Sequence, residues 1–326
     1  TFSYSHSIGR NEFAGTGFRN PVDVAIGEGD TAYVVNRSRE DRPDGIRVTV
    51  TTLTEEYISE FASHGEGDGQ FIWPTSIVLD SEGNVYVADE WLNRISVYTK
   101  DGEFIRKWGV PGSNDGELDR PAGLVISEDG TLFLTDSRNH RVQKFTLDGQ
   151  YLGQFGRFGN QSEELNMPWG ITLDKDGQVY VADWRNDRVQ VFTPEGRWQA
   201  TFGRSGTGNG ELRCPNSVAV DKDGIVYVVD WGNHRVQIFN PDGRHITTLK
   251  GDNVLSQWAI NKLTSNPDLL RQYVVAEAWD STAGKRFALA CSVKVDDHNR
   301  ILVLENTRNR IQVYQKDRTP VLVGGP

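Results

Sequence analysis

The sequence repeats itself every 47 residues. Pro74, Pro121, Pro168 and Pro215 are spaced by 47, and each closes a similar phrase: Gly69-Gln-Phe-Ile-Trp-Pro74, Gly116-Glu-Leu-Asp-Arg-Pro121, Glu164-Leu-Asn-Met-Pro168 and Gly210-Glu-Leu-Arg-Cys-Pro215. After each proline comes a short apolar run, then a tight turn such as Asp174-Lys-Asp-Gly177 or Asp221-Lys-Asp-Gly224. A second run ends on an acid at Asp89, Asp136, Asp183 and Asp230. A third opens on Asn93/Arg94, Asn139/Arg141, Asn186/Arg188 and Asn233/Arg235, and a fourth ends on an aromatic and a glycine, as at Trp108-Gly109 and Phe155-Gly156. Four short strands per unit cannot bury their own faces. Such units must stack on one another, and a radial ring of four-stranded blades is the architecture that does so. The 34 glycines and the recurrent Val, Ile, Tyr, Phe and Trp suit an all-β chain. A length of 326 residues then reads as one repeat domain, where the usual prior would give two.

Two degenerate copies complete a set of six. Pro21-Val-Asp-Val-Ala-Ile26 with Tyr33-Val-Val-Asn36 opens the first, and Val293-Lys-Val-Asp296 with Ile301-Leu-Val-Leu-Glu305 and Asn309-Arg310 forms the last. The last copy lacks a fourth strand, whereas Tyr4–Gly9 is similar to the fourth strand Tyr151–Gly156. The N-terminus is therefore expected to supply the missing outer strand and remove a free edge. The expected blades span residues 18–65, 70–110, 117–157, 164–203, 211–251, and 290–316 together with 1–10, with the tail Pro320–Pro326 outside the pattern. About 28 extra residues interrupt the period at 254–289. They read as two helices, Val254–Leu263 and Pro267–Trp279, with Asn266 as N-cap and Pro267 at the first helical position. Leu269, Leu270, Tyr273, Val274, Ala276 and Ala278 give the second helix an apolar face, which suits a lid, a plug or a dimer contact.

The phrases Pro-x-(Gly/Ser)-(hydrophobic) and Asp-x-x-Asn-x-Arg resemble the NHL repeat over roughly residues 16–315. The resemblance implies a six-bladed β-propeller and says little about function, because the fold hosts enzymes, sensors and adaptors. Related enzymes set the comparison for metals. In amidating lyases of this type, histidines just after the proline position hold a catalytic metal, and in gluconolactonase-like propellers Asn and Asp there hold calcium. Here that ring reads Val22, Thr75, Ala122, Trp169, Asn216 and Cys291, in which only Asn216 fits. Neither metal site is carried over, and no transition metal is expected. Calcium held by backbone carbonyls in the central channel is compatible with the sequence.

Repetition separates scaffold from site. Arg94, Arg141, Arg188, Arg235 and Arg310 share one blade position beside a recurring acid, so they read as an internal brace. The Asp-Lys-Asp-Gly turns lack the other ligands of a calcium loop and read as hairpins. His140 and His234 read as loop residues. Positions that vary between blades on the rim carrying the loops around each Pro and Asp are the candidates for binding. Trp73, Trp91, Trp169, Trp184 and Trp231 fall there, and so do Arg37, Glu90, Arg138, Arg185, Asn216, Glu305 and Asn306. The tryptophans read as a ligand pocket or as loop packing between blades; as a pocket, Trp169, Trp184 and Trp231 are expected in one cavity beneath the insert, Asn216 between them and Cys291 beyond. Glu90, Arg138, Arg185, Asn216, Cys291 and Glu305 are the polar groups that could orient a ligand, move a proton or attack it.

A formal charge of −10 disfavours nucleic acid. No run of 18 apolar residues suggests a membrane helix. The start at Thr1 suits a chain whose leader or tag has been removed, and two cysteines leave the compartment open, cytoplasmic or exported. Two functions fit: a small-molecule propeller, with acid–base hydrolase or lyase chemistry, and a non-catalytic platform for a ligand or a protein partner.

Overall fold

A computed structural model describes residues 1–39, 41–252, 254–279 and 286–317, with side chains omitted for 276–279. Ala276 and Ala278 of the expected apolar face, and the tail Pro320–Pro326, lie outside what is described. The chain forms six four-stranded antiparallel sheets arranged as blades around a central axis. Blades 1 to 5 run in simple chain order, beginning with inner strands at Pro21–Ile26, Pro74–Leu79, Pro121–Ile126, Pro168–Leu173 and Pro215–Val220. Blade 6 is composite. Its three C-terminal strands, Ala290–Val295, Arg300–Glu305 and Arg310–Lys316, are completed by Phe2–Ile8, which pairs antiparallel with Arg310–Lys316. The ring is thus closed by joining the first strand of the chain to the last.

Burial follows position within the blade. Each second strand lies between two neighbouring blades, and Val85–Asp89, Leu132–Asp136, Val179–Asp183 and Val226–Asp230 are buried at every residue. Fourth strands face solvent on one side, and Phe104–Trp108 alternates between half-buried and exposed. The core is a set of seams. One combines Tyr180, Val189 and Val191 of blade 4 with Val218, Val226 and Val228 of blade 5. Another joins Ile8, Leu302, Leu304, Ile311 and Val313 of blade 6 to Val24, Val34 and Leu53 of blade 1. Close approach of the inner strands explains Gly123 and Gly170. A Cβ at Gly123 would lie 2.5 Å from the Trp169 carbonyl oxygen, and one at Gly170 would lie 2.7 Å from the Ser217 Cα.

The repeated polar residues pin each incoming loop to its blade. Asp183 accepts hydrogen bonds from the Asn166 backbone N–H (2.6 Å), Asn186 Nδ2 (2.8 Å) and Arg188 Nε (2.8 Å). Arg188 donates three of its remaining N–H groups to the carbonyls of Asn160, Gln161 and Glu164. Asp136 with Arg141 and Asp230 with Arg235 repeat the arrangement, and Arg94 donates to the carbonyls of Glu66, Gly67 and Gln70. The brace expected of these arginines is what the structure contains. The Asp174-Lys-Asp-Gly177 segment is likewise a hairpin turn, with Gly177 at φ 76° and Asp174 Oδ1 accepting from the Asp176 and Gln178 N–H groups.

A second repeated acid ties each loop to itself. Glu117, Glu164 and Glu211 accept backbone N–H bonds from Asn114, Gln161 and Gly208, and these bonds hold all three carboxyls below the usual Glu range. Their stabilisation is present above the unfolded-state pKa and is lost as pH falls through the folded one. The melting temperature should therefore decline between about pH 5 and 3. Blade 2 carries Gln70 at this position, bonded to the Gly67 N–H without a charge. The triple variant E117Q/E164Q/E211Q should melt with a flatter pH profile over that range; an acid limb as steep as in the parent would refute the assignment.

The insert forms α1 (Gln257–Thr264) and α2 (Pro267–Trp279). Ser256 caps α1 through the Ala259 N–H, and Asn266 accepts from the Asp268 and Leu269 N–H groups as an N-cap should. Trp258 of α1 is buried in the seam of blades 6 and 1 against Phe18, Ser256 donates to the Gly9 carbonyl, and the Trp258 N–H donates to Glu55. So α1 seals the closure point of the ring. The helix starts at Gln257, three residues later than the sequence pattern suggests.

Candidate ligand site on the upper face

Loops leaving the fourth strands and loops joining second to third strands share one rim, the upper face. The residues after each motif proline line the upper channel as expected: Val22, Thr75, Ala122, Trp169, Asn216 and Cys291 all border one cavity. That cavity is only about 30 Å³, which is room for roughly one water molecule. A hydrogen-bonded belt narrows it. Asp23 of blade 1 accepts from Ser292 of blade 6 (2.6 Å) and from the Ser76 hydroxyl (2.8 Å) and Ile77 N–H (3.0 Å) of blade 2, with Lys294 Nζ at 3.3 Å. Sequence reading passed over Asp23 and Lys294. The signal was present, since the position reads Asp23, Ser76, Gly123, Gly170, Ser217, Ser292 and carries an acid only in blade 1.

Two proton-transfer or nucleophile candidates prove to be scaffold. Cys291 donates its thiol to the carbonyls of Pro21 (3.4 Å) and Leu304 (3.5 Å). Burial raises its pKa, so the thiol stays protonated and is a poor nucleophile. Glu305 is the brace acid of blade 6. Its side chain is fully buried, Arg310 and Gln312 bind one oxygen, and the Ala288 N–H and Arg308 bind the other. Arg138 is exposed at the rim, with its backbone N–H bound to the Asp119 carbonyl. Asn216 reaches the channel, and its buried Oδ1 has no partner among the described residues. His140 accepts the Met167 N–H on Nδ1, a loop role as expected.

The tryptophans group in pairs within blades. Trp169 lies 6.2 Å from Trp184 on blade 4, with the Arg185 guanidinium 4.3 Å above the Trp184 ring. Trp73 lies 4.7 Å from Trp91 on blade 2, and Trp231 stands partly exposed on blade 5. A cover by α1 over Trp169, Trp184 and Trp231 is not what forms, because Trp258 anchors that helix at the seam of blades 6 and 1. A larger opening lies at blades 1 and 2. A cavity of about 320 Å³ is bordered by Arg37, Arg39, Ile46, His64, Trp73 and Trp91. Beside it Glu90 is 4% exposed, with Arg37 at 2.6 Å and Arg120 at 4.0 Å. The Arg37 guanidinium stacks on Trp73 at 4.8 Å.

This opening arises where the repeat is irregular. At other junctions a left-handed residue of one blade accepts the N–H that precedes the next blade's first strand: Asn93 from Arg120, His140 from Met167, Asp187 from Cys214, Asn309 from Asn20. At the junction of blades 1 and 2 the Trp73 N–H turns instead to Asp89 of its own blade. The loop from Arg37 to Ile46 fills the place of the short connection found elsewhere. Among the described residues no group of three or more His, Cys, Asp or Glu side chains is placed to hold a metal ion, and no helix is long and apolar enough to cross a membrane.

Known proteins agree with this architecture. Residues 113–202 match the SMP-30/gluconolactonase/LRE-like region, and residues 212–239 match the NHL repeat. The chain is a six-bladed propeller whose fifth blade matches the NHL repeat. Comparison with curated proteins finds no match. Among solved structures this propeller is similar to a catalytically inactive virginiamycin B lyase from Staphylococcus aureus with quinupristin (13% identity, TM-score 0.59, covering 97% of this chain and 100% of the other). It is also similar to a structural genomics protein from Bacteroides thetaiotaomicron (17%, 0.64, 97% and 76%) and to a chain of the nidogen/laminin complex (20%, 0.53, 70% and 79%). Identities this low speak to the fold.

Proposed function

We propose that this propeller binds a small organic molecule on its upper face through the tryptophan-bearing loops. The observation that carries the reading is the Trp73–Trp91 pair beside an open cavity of about 320 Å³, at the low end of the size of small-molecule sites. Trp91 is 52% exposed, so its ring contributes little to the core and is available to a ligand. Trp169, Trp184, Trp231 and Asn216 belong to the same face as secondary contacts. The inactive virginiamycin B lyase with quinupristin is consistent with this use of the fold.

The test is a thermal-shift screen of small molecules, followed by calorimetry on hits. Trp91→Ala should fold normally and weaken binding by roughly 5- to 150-fold, the equivalent of 1–3 kcal/mol for a large aromatic contact. Hits that bind Trp91→Ala and Trp184→Ala as tightly as they bind the parent would sink the proposal. Hydrolase or lyase chemistry on this face rests with Glu90, the buried carboxylate beside the cavity. Glu90→Gln should then abolish turnover of a bound substrate while binding persists. A protein-binding platform is the other reading, and the resemblance to a chain of the nidogen/laminin complex supports it.

A further inference from the structure

We infer that the pocket at the junction of blades 1 and 2 selects a planar aromatic ligand carrying an anionic group, of the aryl carboxylate class. The inference rests on the upper-face binding reading and names its ligand. Three features of the pocket converge on that chemistry. The first is an open π face, because Trp73 packs edge-on to Trp91 at 4.7 Å and 62° and leaves the Trp91 ring half exposed. Such a surface suits a fused or substituted ring.

The second is the division of labour between two arginines. Arg37 is spent: it pairs with buried Glu90 at 2.6 Å and stacks on Trp73, so it forms a fixed wall. Arg39 borders the same cavity, is exposed, and has no ion-pair partner among the described residues. A guanidinium fork presents two parallel donors, which a carboxylate matches better than any neutral group. The third is local charge. Arg37 and Arg120 flank a single carboxylate, Glu90, and Arg39 borders the same cavity, in a chain of net charge −10. Asp41 and Asp44 lie exposed on the same loop and do not border the cavity. An anion entering here meets a net positive patch on an otherwise acidic surface.

The experiment is calorimetric titration of the full chain with 2-naphthoate, its neutral isostere 2-naphthamide and the cationic 2-naphthylmethylammonium. The expected order is carboxylate over amide by about tenfold, equivalent to about 1.4 kcal/mol, with the cation weakest. Arg39→Ala should erase the preference and leave amide binding unchanged, and Trp91→Ala should weaken carboxylate and amide alike. Both side chains are surface-accessible, so both variants should melt as the parent does. Equal affinity for the three probes overturns the inference, and so does a carboxylate preference that survives Arg39→Ala. Silence from all three naphthyl probes, while an unrelated hit still depends on Trp169 or Trp184, overturns this ligand class and spares upper-face binding. Silence from the whole screen overturns both.

Discussion

Deletion of residues 1–8 should lower the melting temperature by on the order of 10 °C or more. These residues supply the outer strand of blade 6, pairing from Phe2 with Lys316 to Ile8 with Ile311. Ile8 is fully buried in the seam between blades 6 and 1, Phe2 packs edge-on to Tyr227 at 6.1 Å, and Tyr4 packs on Tyr314 at 5.7 Å. Burying a side chain as fully as Ile8 is worth about 1.5–3 kcal/mol, and the half-buried Phe2 and Tyr4 add to it. Their joint loss is a large fraction of the stability of an ordinary domain, about 5–15 kcal/mol. The deletion also bares the strand Arg310–Lys316, whose unpaired edge invites association between copies. Circular dichroism melts read the first effect and light scattering the second. Adding a synthetic peptide of residues 1–10 in trans should restore part of the loss. A truncated chain that melts with the parent would show that the ring does not depend on this closure.

Asp183→Ala should destabilise the chain by about 3–5 kcal/mol, the range for removing one partner of a buried ion pair. Asp183 is fully buried, and its loss would strand the Arg188 guanidinium, whose side chain is 13% exposed, together with the Asn166 N–H and the Asn186 amide. The double variant D183A/R188M should recover much of the loss, because no unpaired charge then remains. Urea unfolding of parent, single and double variants gives the comparison, and a double variant no better than the single would show that the loop bonds, and not the orphaned charge, carry the effect. Burial is the largest influence on the Asp183 pKa and raises it. A carboxyl raised in the folded state favours folding more as pH falls, so this brace does not add to acid lability. Acid sensitivity comes instead from carboxyls whose pKa values move the other way, Glu117, Glu164 and Glu211 together with Asp30, Asp129, Glu195 and Asp223.

The architecture was legible because it is periodic. A proline, an acid, an Asn and an Arg recurring at fixed offsets can be read without coordinates, and each has the role its repetition implied. The identity of the missing fourth strand followed in the same way, by likeness between Tyr4–Gly9 and Tyr151–Gly156. Trp73, Trp91, Glu90 and Arg37 could likewise be picked out as rim residues that break the repeat. Their meeting around one cavity could not, since it depends on the loop from Arg37 to Ile46 and on Trp73 bonding within its own blade.

Sequence alone thus determined the blade count, the closure and the brace, all of which are set by local pattern multiplied around a ring. Tertiary structure decided what the singular residues do. Glu305 became scaffold because blade 6 uses Glu where blades 2 to 5 use Asp, and Cys291 because two carbonyls and burial hold its proton. The helical insert was drawn to the seam of blades 6 and 1 because Trp258 finds Phe18 and Leu53 there. Such contacts join residues far apart in the chain, and the free energy of burying an indole depends on which surface it meets. No pattern within one 47-residue unit encodes that choice.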